Sequence, residues 1–326
     1  MFNIFKDNKK QKSFEKNGFE IIESLLSTED ILTLKDFYKK NLSSEIKNSV
    51  YGMYVSLDEP DKKLKKAATD IIEKTVKGKL DNHFINYKTH LGSYLVKVPD
   101  EFSFTYPHQD WLFVDNDEVE YFSATIWISL EDINTQSGNL GFIKGSHQFI
   151  NNILGSPSPE IITATMGHET LLISYLQFSN IKAGDAFIFN NKTIHAAFPN
   201  TTQTDRIAVG IGITPKPAEL YHYFLKPGTT NKIYKLKTTP EFYENNTNDT
   251  LRATYKSKSI PQYASIEEEL NYNPTLYNAA QMEELLIKSG NVKNNIPIVG
   301  LFGNVNITLL TKIKYLLQSG IHKIFS

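Results

Sequence analysis

The stretch from Arg206 to Thr214 constrains this chain more than any other. Ile207, Val209, Ile211 and Ile213 fall on one side of an extended strand, and Arg206, Ala208, Gly210, Gly212 and Thr214 fall on the other. One face is apolar enough to be buried. The opposite face is nearly bare of side chains and carries an arginine, so it leaves room for a ligand inside a barrel. A second strand, Phe122 to Leu130, repeats the design: Phe122, Ala124, Ile126, Ile128 and Leu130 oppose Ser123, Thr125, Trp127 and Ser129. The pattern predicts sheets packed on their greasy side and polar on the side that lines a cavity.

Short runs rich in Val, Ile, Phe and Thr, separated by Gly, Pro, Asn and Asp, begin near Ser93 and mark an antiparallel β core. The predicted strands are Tyr94 to Val98, Phe122 to Leu130, Leu140 to Ile143, Leu171 to Tyr175, Ala186 to Asn190 and Arg206 to Thr214. Helices come first. Ser27 with Asp30 reads as a helix start ahead of Ile31, Leu34, Phe37 and Tyr38, and a second helix from Pro60 to about Gly78 carries Leu64, Ala67, Ala68, Ile71 and Ile72. After Pro215 helical signals return: Ser265 with Glu268 reads as a capping box, Leu285, Leu286 and Gly290 mark a helix end, and Ile307 to Gln318 keeps helical spacing. The expected fold is mainly β. Its catalytic-type domain spans residues 1–240 around a core at about 90–215, and residues 241–326 form a mainly helical extension packed on the barrel or on a second subunit, as in a homodimer.

The chain has no cysteine, so any metal must be bound through His, Asp or Glu. With 35 basic and 36 acidic residues it has no bulk field for nucleic acid or anionic membrane, which leaves a small molecule as the expected partner. The longest apolar stretch, Ile296 to Leu310, is interrupted by Gly300, Gly303, Asn304 and Asn306, and is too broken to insert in a membrane. The N-terminus turns charged almost at once, without the apolar core of a secretory signal, so the default address is the cytoplasm.

Against that background one constellation carries chemistry: His108-Gln109-Asp110, then His195, then Arg206. His-x-Asp alone is weak, since two polar residues two apart in a strand share a face in any protein. A distant histidine raises its meaning. Two imidazoles and one carboxylate on one side of a metal make the facial triad of non-haem iron(II) oxygenases, which leaves three coordination positions for a 2-oxo acid and O2. A dicarboxylic co-substrate needs its far carboxylate held, and the two-pronged guanidinium of Arg206, at the head of the cavity-facing strand, suits that task.

The resemblance then becomes specific. PHQDW at Pro107 to Trp111, ATIWISL at Ala124 to Leu130, SGNLGFIKGSHQF at Ser137 to Phe149 and IHAAFPNTTQTDRIAVGIGITP at Ile194 to Pro215 are similar, in order, to the phytanoyl-CoA dioxygenase family over roughly residues 15–240. That resemblance implies a double-stranded β-helix, or jelly roll, that oxidises small molecules with Fe(II), 2-oxoglutarate and O2. Residue by residue it implies His108, Asp110 and His195 as metal ligands, Arg206 as the 2-oxoglutarate anchor, Trp127 as an aromatic lining that pocket, and Thr125 as a further contact to the co-substrate. The family often has a hydroxyl residue two positions after the distal histidine, where this chain has Ala197. Asp110 separates the chain from iron halogenases, which replace the carboxylate with a small residue.

Other residues read blandly. His147 belongs to a barrel-closing turn; His83, His90, His168, His222 and His322 have no identifiable partners and are taken as structural. Trp111 suits a substrate wall and ordinary core packing alike. Tyr94 and Lys97 lie on an early strand where the family contributes pocket contacts, and Lys97 also fits a solvent-facing role. The resemblance implies hydroxylation with release of succinate and CO2. Desaturation or ring formation at the same centre, and a non-catalytic binding barrel, are the alternatives. The absence of a strongly basic cluster argues against an acyl-CoA and for an amino acid, a natural-product intermediate or a lipid-like molecule.

Overall fold

The computed structural model describes residues 1–44, 46, 52–100, 103–115 and 120–294. Helix α1 (Asn8–Asn17) starts at Asp7, whose carboxylate accepts from Lys9 N and Lys10 N, and stops at Gly18, whose φ of +84° only glycine adopts freely. Strand β1 (Phe19–Ile22) follows, then α2 (Thr28–Asn41), which begins at the Ser27–Asp30 capping box read from the sequence. After β2 (Met53–Val55), α3 (Lys62–Leu80) buries Ala68, Ile72, Val76 and Leu80 along one stripe.

The strands that follow make the body of the molecule. They are β3 (Tyr87–Lys97), β4 (Thr105–His108), β5 (Ala124–Ser129), β6 (Leu140–Phe142), β7 (Gln177–Phe178), β8 (Ala186–Asn190), β9 (His195–Ala197) and β10 (Arg206–Pro215), with short helices α4 (Ser146–Phe149) and α5 (Glu169–Ile173) between β6 and β7. The spatial order β3-β10-β5-β8 forms one antiparallel sheet, extended at its edges by β1 and β2, and β4-β9-β6-β7 forms the other. Except at the β6–β7 step, each successive strand crosses to the opposite sheet. That interleaving is a jelly roll, the double-stranded β-helix expected from the sequence.

The two faces of the larger sheet do different work, as the alternation predicts. Ile126, Ile128, Val209 and Ile211 pack outward beneath Leu34 of α2 and Ile72 and Val76 of α3. Each is almost fully buried and contributes roughly 1.5–3 kcal/mol. Trp127, Phe187 and Phe189 turn inward against Leu140 and Phe142 of the smaller sheet.

Two expectations change. Residues 171–175 are not a strand: α5 and the turn after it bury Leu172 and Ile173 beside Ile143 and Ile194, a short apolar run whose type periodicity alone does not settle. After β10 the chain adds β11 (Tyr221–Leu225), β12 (Lys232–Thr238), α6 (Pro240–Asn245), α7 (Asn248–Lys256), β13 (Ala264–Asn271) and α8 (Ala279–Lys288). The Ser265–Glu268 pattern therefore lies in a strand and not at a helix start. Its glutamates face the lysines of the β11–β12 hairpin, with Lys235 opposite Glu268 and Lys226 Nζ 2.7 Å from Glu269, and this cross-strand pairing outweighs the local capping pattern. Helix α8 buries Met282 and Leu286 against the barrel, while the helical spacing at Ile307 to Gln318 lies outside the described residues. Among the described residues no helix is long and apolar enough to cross a membrane.

Candidate metal centre and co-substrate site

His108 ends β4 and His195 opens β9, and the antiparallel pairing sets them opposite each other with ring centroids 4.2 Å apart. Asp110 follows on the segment after β4, which is fastened by Asp110 N to Asn191 O at 2.9 Å and by Gln109 Nε2 to Lys192 O at 2.6 Å. One ligand atom from each of the three side chains lies within 4.8 Å of the others. Asp110 Oδ1 stands 3.6 Å from His108 Nε2 and 3.7 Å from His195 Nε2.

The hydrogen bonds around these side chains fix which atoms face inward. His108 Nδ1 lies 2.8 Å from Tyr106 O and His195 Nδ1 lies 3.0 Å from Thr193 O. A carbonyl accepts only, so each ring carries its proton on Nδ1 and presents the Nε2 lone pair to the centre. Asp110 Oδ2 accepts from Thr125 Oγ1 at 3.2 Å and from Asn191 Nδ2 at 3.3 Å, which leaves Oδ1 turned to the imidazoles. The Thr125 hydroxyl, expected at the co-substrate, thus serves the carboxylate.

Electrostatics agree with this arrangement. Burial pushes the Asp110 carboxyl up, but the two imidazoles and the Thr125 hydroxyl outweigh it and hold its pKa at about 2. Burial, with the neighbouring His108, brings His195 down to about 4, so it is a neutral donor. His108 is raised: burial opposes its charged form, but Asp110 more than compensates. The His195 side chain is 9 % exposed and that of His108 40 %, so the centre opens to solvent on the His108 side. Two lone pairs and an anionic oxygen converging in this way fit a divalent cation that keeps open positions.

Arg206 begins β10 on the bare face, 2 % exposed. Its Nη1 donates to Gly138 O at 3.0 Å, its guanidinium carbon lies 5.1 Å from the Trp127 ring centroid, and its Nε has no hydrogen-bond partner. Desolvation lowers its pKa to about 9, still a cation at neutral pH, and among the described residues no carboxylate forms an ion pair with it. A buried cation without a counter-ion is costly unless an anion is to arrive.

Two further expectations are corrected. Tyr94 points to the helices and not to the pocket, with its hydroxyl donating to Leu34 O at 2.9 Å. Lys97 is completely buried and not solvent-facing; its ammonium donates to Ser103 O (2.5 Å), Phe198 O (2.7 Å) and Ala197 O (3.1 Å), tying β3 of one sheet to the end of β9 in the other. Asn191 was missed. One asparagine in a chain rich in asparagine gives no signal until the fold sets it beside Asp110.

The family model for phytanoyl-CoA dioxygenase matches residues 14–208, more than half of the chain, a span that includes His108, Asp110, Thr125, Trp127, Asn191, His195 and Arg206. The chain belongs to the phytanoyl-CoA dioxygenase family. As a member of that family it is an iron- and 2-oxoglutarate-dependent oxygenase. No curated protein matches the sequence. Among solved structures it is similar to the non-haem α-ketoglutarate-dependent carbocyclase SnoK from nogalamycin biosynthesis (18% identity, 66% of this chain and 86% of that one, TM-score 0.46). It is also similar to HygX from Streptomyces hygroscopicus with nickel, 2-oxoglutarate and hygromycin B bound (16% identity, 65% and 88%, TM-score 0.44). A third is EvdO2 from Micromonospora carbonacea var. aurantiaca complexed with 2-oxoglutarate (17% identity, 64% and 91%, TM-score 0.44).

Proposed function

We propose that His108 Nε2, Asp110 Oδ1 and His195 Nε2 hold iron(II), that Arg206 holds the distal carboxylate of 2-oxoglutarate against the face of Trp127, and that the enzyme hydroxylates a small organic molecule with release of succinate and CO2. The observation that carries this reading is the convergence of the three ligand atoms within 4.8 Å, each with its other polar atom already engaged. Iron bound there would couple oxidative decarboxylation of the 2-oxo acid to oxidation of a substrate C–H bond. The protein's own share is positional. Arg206, whose buried guanidinium has no carboxylate partner among the described residues, would give charge-assisted hydrogen bonds to the distal carboxylate and so set the reach of the 2-oxo acid toward the triad. Thr125 and Asn191 keep Asp110 Oδ1 aimed, and Phe142 and Phe189, packed on the His195 ring at centroid separations of 6.1 and 4.5 Å, keep water from that side.

The test is anaerobic titration of iron(II) and 2-oxoglutarate into metal-free protein, followed through the weak charge-transfer absorption of a chelated 2-oxo acid at roughly 500–550 nm. The band is expected in wild type, lost in Asp110→Ala and weakened in Arg206→Ala. Iron binding without the band would sink the co-substrate assignment.

A further inference from the structure

The inner face of β3 carries a histidine that neither the triad nor the core uses. His90 is 4 % exposed and neither ring nitrogen has a hydrogen-bond partner among the described residues. Burying an imidazole with both ring nitrogens unpaired is costly, so something should be gained from it.

Its orientation is built by a bulge. Along β3, Ser93, Leu95 and Lys97 pair with Gly210, Ala208 and Arg206 and share their inward face, while Tyr94 and Val96 face the helices. Strict alternation would put His90 outward with Tyr94. Instead the register slips between Gly210 and Gly212, Leu91 takes φ +56°, and His90 pairs with Gly212 on the inner face. Gly212 accommodates the ring by having no side chain: a Cβ there would stand 2.4 Å from His90 Nε2. On the other side of Gly212 in the same row sits Thr125, whose hydroxyl holds Asp110. The His90 backbone is two strand spacings, about 10 Å, from that of Thr125, and the ring leans along the row over Gly212 toward the metal ligands.

The surroundings define what fits. Phe113 lies against the ring at a centroid distance of 5.0 Å, and Trp111, next in chain to Asp110, turns toward the same region with His222 at 4.8 Å. Thr214 Oγ1, next inward-facing residue after Gly212 on β10, is also buried without a partner. Aromatic walls favour a flat apolar body, and a neutral imidazole beside an unused hydroxyl favours uncharged hydroxyl or carbonyl groups.

Resting on the iron and 2-oxoglutarate reading above, we infer that His90 positions the substrate, a neutral ring-sized molecule bearing a hydroxyl or carbonyl that hydrogen-bonds the imidazole while its body lies against Phe113 and Trp111 toward the metal centre. This deepens the function by naming the substrate class and a specificity residue that touches it.

The experiment uses the full-length protein loaded with zinc and 2-oxoglutarate, so that no turnover occurs, and compares phenol with toluene, a probe of the same shape without the hydroxyl. Histidine-side-chain ¹⁵N spectra and competition titrations are recorded in wild type, His90→Leu and His90→Gln. Phenol should bind wild type roughly 3- to 10-fold more tightly than toluene and shift the His90 ring resonances. The preference should vanish in His90→Leu and return in part in His90→Gln, with the iron–2-oxoglutarate absorption band, recorded on separate anaerobic iron(II)-loaded samples, intact in wild type and both variants. Equal binding of the two probes, no binding of either, or a preference that survives His90→Leu would overturn the assignment, and His90 would then be satisfied by an ordered water only. The wild-type spectra decide the question if a variant fails to fold. Loss of the absorption band in wild type would instead count against the iron reading, so the two failures are separable.

Discussion

Asn191 Nδ2 lies 3.3 Å from Asp110 Oδ2 and 3.0 Å from Thr125 Oγ1, closing a triangle around the carboxylate oxygen that faces away from the two imidazoles. Asn191 follows β8, Thr125 sits in β5 and Asp110 follows β4, so the triangle ties both sheets to the orientation of one ligand.

From that triangle follows a first prediction. Asn191→Ala removes a donor that holds the Asp110 carboxylate in place without touching the metal-facing oxygen. Iron(II) affinity should fall roughly 10- to 100-fold while the fold is retained. Calorimetric or competition titration of the metal measures it, with circular dichroism as the control; an unchanged affinity would mean that Thr125 alone orients Asp110.

Arg206 makes a second case, because its burial and its lack of an anionic partner both cost stability while leaving the guanidinium available to a co-substrate carboxylate. Replacing it with Met removes an uncompensated buried cation, so the melting temperature of the metal-free protein should hold or rise. Binding of 2-oxoglutarate should weaken by roughly 2–3 kcal/mol, or about 30- to 150-fold, the worth of charge-assisted hydrogen bonds to a carboxylate. Thermal unfolding and co-substrate titration, run on the same preparation, check both halves.

Lys97 behaves in the opposite way, because its charge is fully engaged. It has three carbonyl acceptors in place, from Ser103, Ala197 and Phe198, at the seam between the sheets. Lys97→Met leaves those carbonyls buried without their donor, and stability should fall by at least about 2 kcal/mol. Denaturant unfolding monitors this, and a variant as stable as wild type would show that the seam rests on the backbone ladder instead.

The contrast between these two cations shows what was legible in the sequence and what was not. Period-2 alternation placed Ile207, Val209, Ile211 and Ile213 in the core and Arg206 on the opposite face, because alternation is a property of one strand and needs no partner. The Ser27–Asp30 cap held for the same local reason. Lys97 and Tyr94 were misread because their surroundings come from Ala197 and Leu34, far away in sequence. The parity of His90 was hidden by a bulge that leaves no mark in the alternation, and Ser265–Glu268 by a cross-strand charge pairing that a local capping pattern does not register. The triad positions were visible as a motif, but the roles of Thr125 and Asn191 depend on where β5 and β8 lie relative to Asp110.

The buried histidines give the last prediction, a pH dependence of stability. Burial lowers His90 and His222 to about 3 and His147 to about 4, against about 6.5 in the unfolded chain. A base whose pKa is lowered on folding binds its proton only in the unfolded state between those values. Its stabilising contribution is therefore complete above about pH 6.5 and is lost as the pH falls toward the folded value. At pH 5 each such histidine has lost about 2 kcal/mol, set by the distance from its unfolded pKa at 1.36 kcal/mol per unit. His108, raised on folding, works the other way and offsets part of the sum. Metal-free protein should accordingly unfold more easily at pH 5 than at pH 7. The variant His222→Gln, whose amide can keep the bond that His222 Nε2 makes to Ser156 Oγ at 2.7 Å, should lose about 2 kcal/mol less over that interval. Denaturant unfolding at the two pH values checks it, and an identical slope in wild type and variant would mean that His222 accepts its proton without leaving the folded state.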